Sequence, residues 1–240
     1  LCVAALGCTD PSRAFQIGLS PQRLVALASI WVLTWINLRG VREGKLVQTP
    51  LTIVKTGALA ALVVLGITIG RNAGAISANF SGGNFSAGPD FTGSFAIVLG
   101  AALVGSLFSS DAWNNVTFAA AEVKNPARNL PKALVLGTGL VTLLYIMANV
   151  AYLSVLPLHG TADGVDAISR GIQYATQDRV GTAAAEMIFG PSASTLMAVA
   201  ILISTFGCNN GLILAGARVY WAMARDGVFF AKAGTLSGKG

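Results

Sequence analysis

The sequence predicts an all-α integral membrane protein, and three observations carry that prediction. The 240-residue chain is 54% hydrophobic and only 11% charged, whereas a soluble domain carries about 25% charged residues. Its mean hydropathy is +0.67. Five long apolar segments stand out, roughly at 24–38, 46–70, 91–121, 133–158 and 192–217. A helix needs about 20 apolar residues to cross a hydrocarbon core of about 30 Å. The last four segments reach that length, and Arg23 and Arg39 extend the first by snorkelling from its ends. No stretch alternates at period two for long enough to build an outer-membrane barrel.

Residues 1–240 read as one partial transmembrane domain. Residues 1–7 are apolar and are expected to end a preceding helix. No initiator methionine is present and the chain closes on a small-residue loop, so an internal piece of a longer protein is expected. Helices are expected over 22–38 and 46–70, then a broken helix over 91–121, then helices over 132–158 and 191–221. Residues 71–90, rich in Gly, Ser, Asn and Ala, read as a flexible outer loop. That loop carries two glycosylation sequons, Asn79-Phe80-Ser81 and Asn84-Phe85-Ser86. Pro131 suits the first position of the helix that follows it. Residues 159–190 form an outer loop in which Ile168, Ile172 and Ala175 recur at helical spacing, so a short helix is expected there. Residues 222–240 read as a cytoplasmic loop.

Charge sets the orientation. The connectors 39–45, 122–132 and 218–240 hold ten of the sixteen Lys/Arg residues, and the alternate connectors hold five. The positive-inside rule places the first group in the cytoplasm. The net charge of +6 is thereby explained without a nucleic acid partner. The remaining cation, Lys55, lies within a span.

The richest stretch is 108–131, FSSDAWNNVTFAAAEVKNPARNLP. It opens inside an apolar run and interrupts it with two serines, an aspartate, a tryptophan and two asparagines. Backbone freed from helix bonding is tolerated at membrane depth only where it is buried in protein or lines a wet cavity. Discontinuous helices of this kind build midplane sites in secondary transporters. Carbonyls freed near Phe108 and Ser109 carry partial negative charge and suit an ammonium group. Free N–H groups opposite suit a carboxylate. An α-amino acid carries both groups.

Ionisable and polar residues at this depth are functional candidates with structural alternatives. Lys55 either tethers carbonyls or a carboxylate, or stands where a transporter otherwise holds a metal ion or proton. Asp111 either caps the second half-helix or shapes polarity beside an amine-bearing ligand. Phe108 and Trp113 flank the break, either as packing residues or as walls of a site. Ser204-Thr205-Phe206-Gly207-Cys208-Asn209-Asn210-Gly211 is a second intramembrane polar cluster. Small and hydroxyl residues mediate helix contacts in membranes, but adjacent asparagines require partners. Cys208 reads as a small packing residue.

Catalytic chemistry finds no support. The single histidine, His159, falls at an outer helix end, and three cysteines (Cys2, Cys8, Cys208) build no disulfide framework. No metal-ligand spacing, nucleophile motif or cofactor motif occurs. Gly137-Thr138-Gly139 sits in an apolar helix without a preceding strand and is no phosphate loop.

The chain resembles the amino acid–polyamine–organocation transporters, and within them the L-type amino acid transporters and their prokaryotic relatives. The resemblance is carried by Asn37-Leu38-Arg39-Gly40-Val41-Arg42, Val47-Gln48 and Lys55. It continues through Phe108, Trp113-Asn114, Glu122-Val123-Lys124-Asn125-Pro126 and Arg128-Asn129-Leu130-Pro131. It ends with Ser204-Thr205-Phe206-Gly207, Asn210-Gly211 and Ala224-Arg225-Asp226-Gly227. These motifs occur in the expected order across about 35–240.

The resemblance implies a LeuT-like fold of two inverted five-helix repeats, of which this chain supplies about helices four to eight. It implies that Phe108, Ser109, Ser110, Asp111, Trp113 and Asn114 on broken helix six, with Asn210 on helix eight, surround an amino acid. Phe108 matches an outer gate. Lys55, with Ser204 and Thr205, matches a coupling region where a helix-five lysine occupies the space of a sodium site. Animal L-type members carry Tyr and two Gly in the turn matching 110–112, and Ser110-Asp111-Ala112 looks closer to prokaryotic members. Animal members also join a single-span heavy chain through a cysteine in the loop holding Cys8. Such a partner is not expected here.

The implied function is a sodium-independent amino acid exchanger or importer working by alternating access in a multi-pass cell-membrane protein. Two other readings stay open. One is proton-coupled transport of cationic amino acids or polyamines, and the other is an amino-acid sensor that binds without flux.

Overall fold

In the computed structural model, residues 2, 3, 14, 15, 20–80 and 95–235 are described. Eight α-helices lie among them: α1 (Pro21–Leu38), α2 (Val41–Thr68), α3 (Ala73–Phe80), α4 (Phe95–Ser109), α5 (Pro126–Val155), α6 (Ala167–Arg170), α7 (Val180–Phe189) and α8 (Ala193–Arg225). A 3₁₀ segment, Trp113–Glu122, stands between α4 and α5. Cys2–Val3 and Ala14–Phe15 pair as a two-residue parallel bridge. Residues 2 and 3 therefore do not continue a helix, contrary to the expectation for 1–7, whose other residues lie outside those described.

Among the described residues three stretches are long and apolar enough to cross a membrane: Glu43–Thr68, Pro126–Val155 and Val180–Arg225. The other two segments expected to span give shorter helices. Helix α1 has 18 residues and α4 has 15, or about 27 and 22 Å at 1.5 Å per residue.

Two helix starts have a clear local cause. Ser20 caps α1 by accepting from the Arg23 N–H at 3.3 Å, with Pro21 next to it. Helix α5 begins at Pro126 after Asn125, whose backbone is left-handed (φ 49°). Pro131, expected at that start, lies inside the helix instead. Both prolines fit a first turn, where the missing N–H costs nothing, and the chain uses the earlier one.

Helices α2 and α8 run antiparallel and pack closely. A Cβ on Gly207 would touch the Leu51 side chain at 3.3 Å, while one on Gly211 would meet Gln48 at 3.8 Å. Small residues of this kind allow backbones to approach in a membrane, where burial alone drives little association. Helix α5 packs on the later turns of α2. There Gly66 faces Ala151, and Gly70 faces Val155 and Ile188 of α7. The buried core sits at this end, where Val155, Leu156, Ala183 and Ala184 cluster. By contrast, every described side chain of α4 is exposed.

Two outer-loop expectations change. The segment after α2 holds α3, and Asn79 is 2% exposed. Its amide donates to the Leu153 and Leu156 carbonyls at 2.8 and 2.9 Å and accepts from the Leu158 N–H at 2.7 Å. It is a structural clasp between α3 and the end of α5, closed to a glycosyl group; Asn84 lies outside the described residues. In 159–190 the helical pieces are α6 and α7, and Ile172 and Ala175 fall between them.

Candidate functional site

The break in the third apolar segment is real and has a defined geometry. Helix α4 stops at Ser109, and its last turn is closed by its own serines. The Ser109 hydroxyl donates to the Ser106 carbonyl at 2.9 Å, and the Ser110 hydroxyl to the Leu107 carbonyl at 3.0 Å. Ala112 then adopts a left-handed backbone (φ 66°, ψ 4°), a conformation that costs a β-carbon residue energy and marks a constrained turn. The chain continues as ten residues of 3₁₀ helix, although such runs seldom exceed three or four residues and often mark functional hinges.

Two carbonyls at the break are weakly used. The Phe108 carbonyl accepts from the Asp111 N–H at 3.4 Å, and the Ser109 carbonyl from the Tyr145 hydroxyl at 3.5 Å. Normal bonds of these types lie near 2.7–3.0 Å, so both oxygens remain open to a stronger donor. Asp111 does not cap the second half: Ala112 is at the cap position, with no side-chain cap bond. Neither the Asp111 nor the Lys55 side chain has a hydrogen-bond or ion-pair partner among the described residues.

A cavity of about 1440 Å³ opens at this point. Lys55, Ser109, Ser110, Asp111 and Trp113 line it, bringing together α2, the end of α4 and the start of the 3₁₀ segment. The opposite wall is a polar stripe on α5: Thr138, Thr142, Tyr145 and Asn149. Their spacing of four, three and four puts them on one helix face. The sequence reading missed this stripe, although that spacing in an otherwise apolar helix was its signal.

Other expected site residues lie elsewhere. Phe108 is 80% exposed and does not border the cavity. Asn114 is exposed, and its carbonyl accepts from the Thr117 hydroxyl at 2.6 Å. The Thr205 hydroxyl is returned to the Ile201 carbonyl at 2.8 Å, and Ser204 is half-buried; neither borders the cavity. Cys208 is exposed rather than packed inside. Asn210 is fully buried, but in a joint of its own. Its Oδ1 accepts from Asn37 Nδ2 at 2.8 Å, and its Nδ2 donates to Gln48 Oε1 at 2.8 Å and to the Gly44 carbonyl at 3.3 Å. This joint ties α1, α2 and α8 together.

The family profile described as amino acid permease matches residues 6–233. The chain belongs to the amino acid permease family. With that membership comes the LeuT-like fold of a multi-pass membrane transporter. Over 215 residues this permease chain is 31% identical to the serine/threonine exchanger SteT of Bacillus subtilis, covering 89% of the chain and 43% of the relative. It is 27% identical to the human b(0,+)-type amino acid transporter 1 over 219 residues, covering 89% of the chain and 40% of the relative. To the human large neutral amino acids transporter small subunit 2 it is 31% identical over 208 residues, covering 85% and 35%. The chain thus spans less than half the length of these relatives. All three are transporters by name, and none is an enzyme.

Proposed function

We propose that the protein is a sodium-independent carrier of neutral amino acids in the cell membrane, exchanging or importing them by alternating access. The observation that carries this reading is the cavity at the helix break, where Ser109, with its weakly used carbonyl, lines the same space as Lys55 and Asp111. The Phe108 and Ser109 carbonyls receive the substrate ammonium, as the negative end of a half-helix favours. Asp111 adds negative potential on that side. Lys55 supplies a fixed positive charge in place of a coupling metal ion.

Relatives named for serine/threonine and for large neutral amino acids support a neutral substrate. In this reading the carrier works without a heavy chain; Cys8, the relevant position, lies outside the described residues. The gate role of Phe108 rests on the resemblance, and its exposure leaves it free to swing. Full-length protein reconstituted in liposomes is expected to take up labelled serine, and Phe108→Ala to lower that uptake severalfold. Uptake by Phe108→Ala equal to the wild type removes the gate.

A further inference from the structure

A second pocket, of 260 Å³, lies away from the cavity at the break, between α6 and the start of α7. It sits at the end of the bundle where α2 and α5 finish, which charge patterning places outside the cell. Small-molecule sites for drug-sized ligands occupy about 300–1,000 Å³, so this one fits something smaller.

Four charged residues border it: Asp166, Arg170, Arg179 and Glu186. No ion pair joins any two of them among the described residues, although opposite charges around one hollow ordinarily neutralise each other. Two of the four are already committed. Arg170 donates to the Gly164 carbonyl at 2.6 Å and to the Thr176 hydroxyl. The Asp166 carboxylate accepts the Ser169 N–H at 2.7 Å as the cap of α6, and these Ser169 bonds hold its carboxyl below the usual range.

That leaves the Arg179 and Glu186 side chains with no partner among the described residues. They stand at the N-cap and the seventh residue of α7, two turns apart on one face, or about 10 Å along the axis. Between them the floor is apolar, with buried Ala175 and Ala183. The guanidinium is a planar fork suited to a carboxylate, and the Glu186 carboxylate suits an ammonium.

We propose that this outer pocket is a second amino acid site, taking the zwitterionic end of a free α-amino acid between Arg179 and Glu186 before it enters the cavity. The inference rests on the transport reading and adds a capture step to it. The ligand closes an electrostatic gap that the two side chains do not bridge themselves. Both groups are exposed, so solvent screens the interaction and each contributes modestly.

The test uses full-length protein in lipid nanodiscs for binding and in liposomes for uptake, with labelled serine as probe. The wild type is expected to bind two molecules per chain, and Arg179→Gln and Glu186→Gln each to weaken the second binding about two- to fivefold. Both variants keep the maximal uptake rate while the apparent KM from outside rises about two- to fivefold, as expected for one exposed charge pair. Arg179→Lys restores part of the affinity. One bound molecule in the wild type with unchanged variant KM overturns the outer site alone. Two bound molecules whose affinities neither substitution changes also overturn it. A wild type that neither binds nor takes up serine overturns the transport reading as well.

Discussion

Replacing Asn210 by leucine is expected to lower the unfolding free energy of the detergent-solubilised full-length protein by about 1–3 kcal/mol, the cost of leaving buried polar groups unpaired. The side chains share the same branching of four heavy atoms, so leucine fills the site while removing its hydrogen bonds. Asn210 is 0% exposed and serves three helices at once. Without it Gln48 Oε1 loses its 2.8 Å donor, and Asn37 Nδ2 keeps only the Leu33 carbonyl at 2.8 Å. The neighbouring Asn37 Oδ1 is already buried without a partner, so one acceptor in the joint is unsatisfied even before the substitution. Interhelical bonds in membranes average about 0.6 kcal/mol, with a maximum near 1.7; the larger figure expected here reflects several bonds breaking together. Thermal unfolding with Asn210→Leu and, as control, Thr205→Val measures this. A shift no larger than the control's contradicts the assignment of Asn210 as the pin of α1, α2 and α8.

Lys55→Met is expected to abolish most transport, at least about tenfold, while leaving the fold intact. A charge-assisted hydrogen bond contributes about 1.5–3 kcal/mol, and loss of one such contact in the transport cycle accounts for that factor. The two readings of Lys55 separate here. A lysine that tethers the bundle costs stability when removed. An unpaired ammonium at membrane depth is itself a burden of about 2.5–3.5 kcal/mol, so its removal leaves stability unchanged or higher. Lys55 borders the cavity, and its side chain has no partner among the described residues. Parallel measurement of melting temperature and serine uptake decides it. A destabilised protein with normal uptake per folded molecule contradicts the functional role. Lys55→Arg retains charge but not the compact ammonium, and partial uptake is expected.

The break at 109–113 was legible because its signal is energetic: two serines and an aspartate inside an apolar run have few explanations in lipid. The long helices α2, α5 and α8 were legible for the same reason, since length and hydropathy leave them one environment. Local composition misled where tertiary packing decided. Residues 73–80 contain Gly, Ser and Asn and read as loop, but Asn79 finds three backbone partners on α5 and in the residues just after it, and holds a helix there. Asn210 was legible as a residue that needed partners, but not which ones, because Asn37 and Gln48 lie more than 160 positions away. The α5 stripe was written in the sequence at Thr138, Thr142, Tyr145 and Asn149; the hydroxyls were passed over because each alone is an ordinary membrane-helix residue. The 3₁₀ form of Trp113–Glu122 had no composition signal.

The account turns on amino acid flux through the broken helix, and exchange in sodium-free liposomes tests it most directly. Full-length protein is reconstituted into vesicles loaded with unlabelled serine or left empty, and labelled serine is added outside. Uptake that proceeds without sodium and runs faster into loaded vesicles is the predicted result. Saturable binding of serine with no flux into either set, or flux that appears only when sodium is added, contradicts it.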